Sequence, residues 1–148
     1  MDKTMPLLEK AIKLAAEAHA GKKDKAGKHY ILHVLRVMLQ MDTEEEMIAA
    51  VLHDVVEDTE WTLDGLLKEG FSEKVVEAID HITKRESEED HYEVFIQRVA
   101  ENSMARKVKL SDLADNLDVR RLKTLTKDDH ERLAKYHEAW LLLKKQEP

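Results

Sequence analysis

The sequence contains no cysteine, only four glycines and two prolines, and few aromatic residues (5 %). The lack of cysteine excludes disulfides, zinc ribbons and thiol nucleophiles. No apolar run approaches the roughly 18 residues that a membrane-spanning helix needs. The first residues also lack the apolar stretch of a secretory signal. These absences predict a cytoplasmic protein that does not enter a membrane.

Charged residues are abundant instead. They make up 37 % of the 148 residues and give a formal net charge of −7. With so little glycine and proline, this composition predicts an all-α protein whose outer faces carry the charges. The negative charge argues against nucleic acid or anionic membranes as partners, because both favour a basic surface, and it suits a protein that holds cations. The length predicts a single domain.

Apolar residues recur at helical spacing along most of the chain and predict about seven or eight helices. Thr4 is expected to cap the first helix, which ends at Gly21. A capping box formed by Thr43 and Glu46 opens a helix that is predicted to run to about Asp58. Ser103 is expected to cap a helix that continues to about residue 117. The other predicted helices cover residues 29–40, 62–70, 73–84, 92–100 and 127–144, and the charged segment 85–90 is predicted to be a mobile connection.

One predicted helix carries four residues that can hold a metal ion or transfer protons. His53 and Asp54 are followed at helical spacing by Glu57 and Asp58, within the otherwise apolar segment 49–56. Because residues four apart share a helix face, His53 is predicted to stack with Glu57, and Asp54 with Asp58. A buried carboxylate is costly unless it is paired or binds a cation. This segment is therefore either part of a metal site or the solvated acidic end of a helix.

Two further predicted helices carry residues of the same kind. His33 lies in an apolar stretch, and Asp112 lies one turn before Asn116. Taken alone, His33 is better explained as a hydrogen-bonded core residue than as a ligand, and the Asp112–Asn116 pair is equally explained by hydrogen bonding between helices. Together, His33, His53, Asp54 and Asp112 would supply two imidazoles and two carboxylates, a mixed shell that suits a catalytic divalent cation.

Other polar residues would surround such an ion. Glu57 and Asp58 would lie beside it, where they could transfer protons. The loop from Gly21 to Lys28 contains four lysines, which are either solvated or, if the loop folds over the site, available to a phosphate-bearing ligand. The remaining histidines are predicted to be structural or surface residues: His19, His81, His91, His130 and His137.

Several segments resemble, in order and spacing, the hydrolase domain of the Rel/SpoT stringent-response enzymes. His33, His53-Asp54 and Asp112 match the H…HD…D signature of the HD-domain metal-dependent phosphohydrolases, to which that domain belongs. The resemblance extends from about Leu7 to Leu122, and it includes the small alarmone hydrolases and the metazoan SpoT homologue. The matching segments are Ala18–Gly21, Gly27–His33, Leu52–Thr59 and Val108–Asn116.

This resemblance implies a single HD hydrolase domain, an all-α helical bundle, over residues 1–148. The motifs fall within residues 7–122, and the helix at 127–144 packs against them. It also implies one Mn²⁺ ion, or another divalent metal, and hydrolysis of the 3′-pyrophosphate of guanosine tetra- or pentaphosphate. By position, the metal ligands would be His33, His53, Asp54 and Asp112. Glu57 and Asp58 would handle the water and protons, while Lys25, Tyr30, Lys109 and Asn116 would face the nucleotide.

The chain departs from the family pattern at five positions. Lys22 and Asp24 stand where the family has glutamine and arginine, His29 and Val34 replace prolines, and Asp118 replaces an arginine. The loss of a guanidinium that can stack on a purine weakens the expectation of guanosine recognition. The alternative substrate is another nucleotide that carries a 3′- or 5′-phosphate or pyrophosphate.

A different class of function is a non-catalytic module that binds a metal ion and senses a nucleotide. It agrees less well with the sequence, because Glu57 and Asp58 would then have no role. A purely structural helical domain agrees least well, since ligand-type residues on three helices would be coincidental. The chain has no room for a synthetase domain, so no pyrophosphokinase activity is expected. The expected partner is a small nucleotide, and a homodimer is left open.

Overall fold

The structure, a computed structural model, describes residues 5–148. Within this range the chain forms nine α-helical segments and two 3-10 turns, at Glu86–Glu88 and Val119–Arg121, with no strand beyond one isolated bridge. This architecture confirms the all-α prediction, while the predicted cap at Thr4 falls outside the described residues. In the part described, no helix is long and apolar enough to cross a bilayer. The helices are α1 (Leu7–Ala18), α2 (Tyr30–Leu39), α3 (Glu44–Val51), α4 (Val55–Asp58), α5 (Leu63–Lys68), α6 (Glu73–Ile82), α7 (Tyr92–Ala100), α8 (Ser103–Leu117) and α9 (Lys127–Lys145).

Helix α3 occupies the centre of the bundle. It packs against α1, α2, α6 and α8, and every residue from Ile48 to Val55 is buried. Fully burying one large aliphatic side chain contributes roughly 1.5–3 kcal/mol, so this segment and its neighbours account for much of the core. Any polar residue at the end of α3 is therefore forced into the interior.

Side-chain caps fix where most helices begin. The cap predicted at Thr43 is confirmed, and Thr62 and Ser72 cap α5 and α6; each of the three accepts a backbone N–H three residues along the chain. The prediction that Ser103 caps α8 is wrong. Asn102 is the cap instead, because its Oδ1 accepts the backbone N–H three residues on at 2.8 Å.

The helix predicted to run through to Asp58 is broken in two. Helix α3 ends at Val51, and the single turn α4 begins at Val55. Between them, the N–H of His53 bonds to the carbonyl of Ala50, a three-residue turn that is tighter than an α-helix. The Nδ1 atom of the His53 ring also lies 2.6 Å from the oxygen of this carbonyl. A side chain that bonds to the local backbone in this way competes with continuation of the helix.

This break changes which residues share a face. His53 and Asp54 are 3 % and 8 % exposed, whereas Glu57 and Asp58 are exposed. The break interrupts the predicted helical spacing between His53 and Glu57, whereas the N–H of Asp58 still bonds to the carbonyl of Asp54 at 3.0 Å, so Asp54 and Asp58 keep their helical spacing. The chain turns His53 and Asp54 into the core and leaves Glu57 and Asp58 at the surface.

The charged segment 85–90 is anchored at its centre. Glu88 is 6 % exposed and accepts hydrogen bonds from Arg98 of α7 at 2.8 and 3.0 Å. These bonds lower the pKa of Glu88 to about 2, against the opposing effect of burial. The segment predicted to be mobile is therefore held to α7 by a buried ion pair.

Candidate metal centre and adjoining cavities

Three helical elements bring His33, His53 and Asp112 together in the interior. His33 comes from α2, His53 from the turn after α3, and Asp112 from α8. Asp112 Oδ1 lies 2.9 Å from His33 Nε2 and 3.4 Å from His53 Nε2. The three residues are buried, and one possible ligand atom from each lies within 4.8 Å of the others. Two imidazoles and a carboxylate in this arrangement fit a divalent cation.

Asp54, the fourth residue predicted as a ligand, lies at the edge of this cluster. Its Oδ2 is 3.9 Å from His53 Nε2 and accepts a hydrogen bond from the Tyr30 hydroxyl. Its other carboxylate oxygen lies 3.1 Å from Nε2 of His19. His19 is buried, so it helps to position a site carboxylate. Its segment was part of the family resemblance, but no site role was assigned to it from the sequence.

Opposite charges in the cluster shift its pKa values. Burial disfavours the charged form of His53, but Asp54 and Asp112 outweigh it and raise the pKa to about 9. Burial alone would raise the pKa of Asp54 and of Asp112. The surrounding cationic groups and hydrogen bonds outweigh burial and hold both pKa values well below the ordinary value of an aspartate. A divalent cation would supply the same charge balance, and the imidazoles would release their protons on binding it.

A further carboxylate, Asp115, holds the His33 ring from behind. Its Oδ2 lies 2.6 Å from His33 Nδ1, and Arg36 donates two hydrogen bonds to it, at 2.7 and 3.0 Å. The backbone carbonyl of Asp115 accepts a bond from Arg121. A carboxylate on the remote nitrogen of a histidine fixes the orientation of the ring toward a metal. Asp115 was not identified from the sequence, although its spacing of three from Asp112 was a usable signal.

The predicted proton-handling carboxylates line a cavity of about 200 Å³ beside the cluster, here called the inner cavity. Glu57 accepts the backbone N–H of Lys84 at 2.8 Å, and Asp58 accepts a hydrogen bond from Lys22 at 2.8 Å. The inner cavity therefore brings Glu57 and Asp58 into the same space as His53, Asp54 and Asp112. Its lining includes Tyr30, His53, Asp54, Glu57, Asp58, Lys84, Tyr92, Phe95, Lys109, Asp112, Asn116, Lys135 and Tyr136.

A second cavity, of about 380 Å³ and here called the outer cavity, adjoins the first. Tyr30, Asn116 and Tyr136 line both cavities and form their shared wall. The outer cavity is also lined by His33 of the metal cluster and by Asp24 and Asp118, but its cationic residues outnumber the acidic ones, and Lys25 lines this cavity and not the inner one. The cationic residues of the outer cavity are Lys22, Lys23, Lys25, Arg121 and Arg132.

Three residues predicted to face a nucleotide contact the site carboxylates in this structure, which holds no nucleotide. Lys109 donates to Asp112 Oδ2 at 2.9 Å, and Asn116 donates to Asp112 Oδ1 at 3.2 Å. The Tyr30 hydroxyl bonds to Asp54. All three line the inner cavity, so they connect the metal cluster to the space in which a ligand would lie.

The unusual residues of the lysine-rich loop have defined partners. Asp24 Oδ1 accepts the backbone N–H groups of Ala26 and Lys28, both at 2.9 Å, and so closes the turn of the loop. The Lys22 ammonium lies 3.9 Å from the centre of the Tyr30 ring. The aspartate in place of the family arginine thus stabilises the loop itself.

The central elements of this helical bundle present two histidines and aspartates to a cavity that is lined by carboxylates and lysines. Such an arrangement is typical of a class of metal-binding α-helical proteins. The family comparison identifies which one. The family model described as HD domain matches residues 11–135 of the chain. The chain therefore belongs to the HD domain family.

Several proteins are similar to this chain. A guanosine-3′,5′-bis(diphosphate) 3′-pyrophosphohydrolase of Aquifex aeolicus is 34 % identical over 74 % of the chain and 17 % of its own length. A protein of that name from Haemophilus influenzae is 31 % identical over 82 % of the chain and 20 % of its own length. The chain thus spans at most a fifth of these curated relatives.

The fold also matches a solved structure. The protein is described as a metazoan orthologue of SpoT that hydrolyses ppGpp and plays a role in starvation responses. The TM-score is 0.78 at 23 % sequence identity, and the match covers 97 % of this chain and 88 % of the other. At this identity the match establishes the fold.

Proposed function

We propose that this chain is a Mn²⁺-dependent phosphohydrolase that removes the 3′-diphosphate group of guanosine 3′,5′-bisdiphosphate, releasing GDP and pyrophosphate. The observation that carries the proposal is the inner cavity, where His53 and Asp112 of the metal cluster line the same space as Glu57 and Asp58, while His33, the third member, lines the adjoining outer cavity. The names of the Aquifex and Haemophilus relatives support the substrate.

The proposed metal ligands are His33, His53, Asp112 and, from the edge of the cluster, Asp54. A divalent ion bound there would lower the pKa of a coordinated water and neutralise charge on the phosphoryl group. Tyr30 and His19 hold Asp54 in place, and Asp115 holds His33. Because these positioning contacts are already made in the protein, little reorganisation is needed on ligand binding.

The proposed proton carriers are Glu57 and Asp58. In the reaction, a water oxygen forms a bond to the phosphorus attached to the 3′-oxygen, the bond between that phosphorus and the 3′-oxygen breaks, and the 3′-oxygen takes up a proton. One carboxylate would accept a proton from the water, and one would supply the proton to the leaving oxygen. The hydrogen bond from the Lys84 backbone to Glu57 leaves its second carboxylate oxygen available for this role.

The proposed nucleotide contacts lie on the shared wall and in the outer cavity. Tyr30 and Asn116 border both cavities, and Lys25 lines the outer one. The cationic residues of the outer cavity suit the second phosphate-bearing end of a doubly phosphorylated nucleotide. Lys109, beside Asp112, would meet the reacting diphosphate.

A second candidate is the same reaction on a different phosphorylated nucleotide. Asp24 favours it, because this carboxylate closes its own loop and offers no guanidinium to stack on a purine base. Comparing the guanosine and adenosine bisdiphosphates as substrates separates the two candidates. Equal turnover of both nucleotides would indicate that the site recognises the phosphate groups more than the base.

The test is to measure pyrophosphate and GDP released from guanosine 3′,5′-bisdiphosphate by the Mn²⁺-loaded protein and by the Asp54→Asn variant. We expect turnover in the parent and loss of turnover in the variant. Glu60→Gln is the matched control, because Glu60 is an exposed carboxylate close to α4. Parental turnover in Asp54→Asn would contradict the metal-site assignment. Tight nucleotide binding without turnover would instead indicate a non-catalytic sensing module.

A further inference from the structure

The proposed proton carrier Glu57 is held by the backbone just beyond α6. Its Oε1 accepts the N–H of Lys84 at 2.8 Å, shortly after α6 ends at Ile82. Glu57 is exposed and lines the inner cavity, and an unrestrained glutamate side chain can adopt several rotamers. The bond from Lys84 selects one of them. Any contact that fixes this N–H therefore also fixes the carboxylate in the cavity.

The carbonyl of the same peptide group is held by arginines. The Thr83 carbonyl accepts a hydrogen bond from Arg98 Nη2 at 2.9 Å and one from Arg85 Nη1 at 2.8 Å. The peptide group that joins Thr83 to Lys84 is planar and trans, so its carbonyl and its N–H point in opposite directions. An arginine that fixes the carbonyl therefore also sets the direction of the N–H that Glu57 accepts. Hydrogen bonds joined in a chain of this kind also strengthen one another.

Arg98 is the more firmly held of the two arginines. Its side chain is 22 % exposed, against 42 % for that of Arg85. Arg98 donates to both carboxylate oxygens of Glu88, at 2.8 and 3.0 Å. It also donates to the carbonyls of Asp80 and His81, at 3.2 and 3.1 Å, in the last turn of α6, where carbonyls lack partners within the helix. The guanidinium therefore joins the end of α6 to α7.

These contacts require more of Arg98 than an ion pair does. A pair with Glu88 needs only a cation. Bonding a carboxylate and three backbone carbonyls at the same time needs several donors in a fixed plane, which a guanidinium has and an ammonium lacks. Arg98 is not among the residues that line either cavity. Any effect of this side chain on the reaction must therefore pass through the backbone that it holds.

We propose that Arg98 is a positioning residue for the proposed reaction: it holds the Thr83–Lys84 peptide group, whose N–H in turn holds Glu57 in the inner cavity. This inference deepens the proposed function and rests on it, because Glu57 is a proposed proton carrier. Proton transfer requires the carboxylate to lie within hydrogen-bond reach of the reacting group. A change at Arg98 therefore acts on the chemical step, while the binding of metal and nucleotide is kept.

Three variants separate the carbonyl contacts from the ion pair with Glu88. Arg98→Lys keeps a cation beside Glu88 but loses the planar set of donors. The double variant Arg98→Leu, Glu88→Leu removes both charges together, so that no unpaired charge remains in the interior. Glu88→Gln is the converse, because it weakens the ion pair and keeps Arg98. The matched control is Arg106→Lys, since Arg106 is also a half-buried arginine that bonds a carboxylate and a backbone carbonyl.

The first test measures the hydrogen bond itself and needs no turnover. Amide hydrogen exchange at Lys84 is followed by NMR in the parent, in Glu57→Ala and in the variants above. We expect exchange at Lys84 to be about tenfold faster in Glu57→Ala, in Arg98→Lys and in the double variant, the effect of losing one hydrogen bond to a charged group. Exchange in Arg106→Lys should equal that of the parent. Parental exchange in both Arg98→Lys and the double variant would overturn the proposal.

The second test measures turnover of guanosine 3′,5′-bisdiphosphate. We expect kcat to fall about ten- to a hundredfold in Arg98→Lys, the scale for a displaced catalytic group, with KM and the Kd for Mn²⁺ near those of the parent. Glu88→Gln and Arg106→Lys should keep the parental kcat. A fall in kcat that is equal in Arg98→Lys and Arg106→Lys would contradict the positioning role, because it would reflect general destabilisation.

A double-mutant cycle shows whether Arg98 acts through Glu57. In the Glu57→Gln background we expect Arg98→Lys to cause little further loss of kcat, because both substitutions act on the same carboxylate. Losses that multiply independently would overturn the proposal. If no protein turns over the nucleotide but exchange at Lys84 still depends on Arg98, the proposed function fails and the positioning contact stands.

Discussion

The inner and outer cavities share a wall but hold their charged groups in different ways. In the inner cavity, Asp54 and Asp112 are buried and contact imidazole, hydroxyl and ammonium groups, while Glu57 and Asp58 of the same cavity are exposed. In the outer cavity, the side chains of Lys22 and Arg121 are 39 % and 28 % exposed. Charge interactions are strong in the interior and weak where water screens them. The buried groups of the inner cavity are therefore suited to fixed metal chemistry, and the exposed cations of the outer cavity to weaker, adjustable recognition.

The largest effect is expected from substitution of His53, which belongs to the buried metal cluster. Replacing it with alanine removes an imidazole that lies against both Asp54 and Asp112. We expect loss of bound Mn²⁺ after dialysis and a fall in turnover of about a thousandfold or more, the scale of several kcal/mol of transition-state stabilisation. Metal analysis and pyrophosphate release measure the two effects.

The control for this variant is His91→Ala, at an exposed histidine outside both cavities. Its metal content and turnover should equal those of the parent. Circular dichroism establishes that the His53 variant is folded. If that variant retains both the metal and its turnover, the inner cavity is not the metal centre.

The next largest effect tests how the centre is positioned. Asp115→Leu removes the acceptor behind His33, whereas Asp115→Asn keeps an oxygen there. We expect the Kd for Mn²⁺ to rise about 10- to 100-fold in the leucine variant, and less in the asparagine variant. Calorimetric titration of the metal-free proteins measures both. Equal affinity in the parent and Asp115→Leu would exclude a positioning role.

The sequence predicted the residues of the metal cluster better than the residues that hold them in position. The helical periodicity and the capping residue Thr43 predicted the elements, because both signals are local. His33 and Asp112 could be paired because their segments match a family motif. The break between α3 and α4 was missed because it depends on the His53 ring reaching the Ala50 carbonyl, a contact that periodicity does not encode.

The missed ion pairs have a related cause. Asp115 and Arg36 are 79 residues apart in the chain, and they meet only because α2 packs on α8. In the same way, the sequence shows Glu88 only as one of several charged residues in its segment. Its partner Arg98 is brought next to it by the packing of α7. Each pair is specified by tertiary packing, so neither residue stands out in its own segment.

The Glu88 pair supplies a structural reference away from the centre. We expect Glu88→Gln to lower the free energy of unfolding by about 2 kcal/mol at pH 7, since a buried charged hydrogen bond is lost. The folded protein depresses the pKa of Glu88 from 4.5 to about 2, so this stabilisation is complete above pH 4.5 and disappears as the pH falls toward 2. Urea unfolding at several pH values measures the difference between the two proteins.

The affinity of Glu88→Gln for Mn²⁺ should remain that of the parent, because Glu88 and Arg98 line neither cavity. This variant is therefore the matched control for Asp115, whose carboxylate is also paired with an arginine. A comparable loss of Mn²⁺ affinity in both variants would mean that the effect at Asp115 reflects general destabilisation.

The smallest effect is expected in the outer cavity, at Lys22. Its ammonium pairs with Asp58 and lies over the Tyr30 ring, so it links the outer cavity to the inner one. Because the group is partly exposed, an ion pair with a substrate phosphate contributes about 0.5–1 kcal/mol. We therefore expect Lys22→Gln to raise KM for the bisdiphosphate two- to fivefold, and the increase to shrink at high salt as the charges are screened. Lys28→Gln, on the same loop but outside both cavities, should leave KM unchanged. A loss as large as that at His53 would show that Lys22 belongs with the buried chemistry, and that the boundary between the two cavities lies elsewhere.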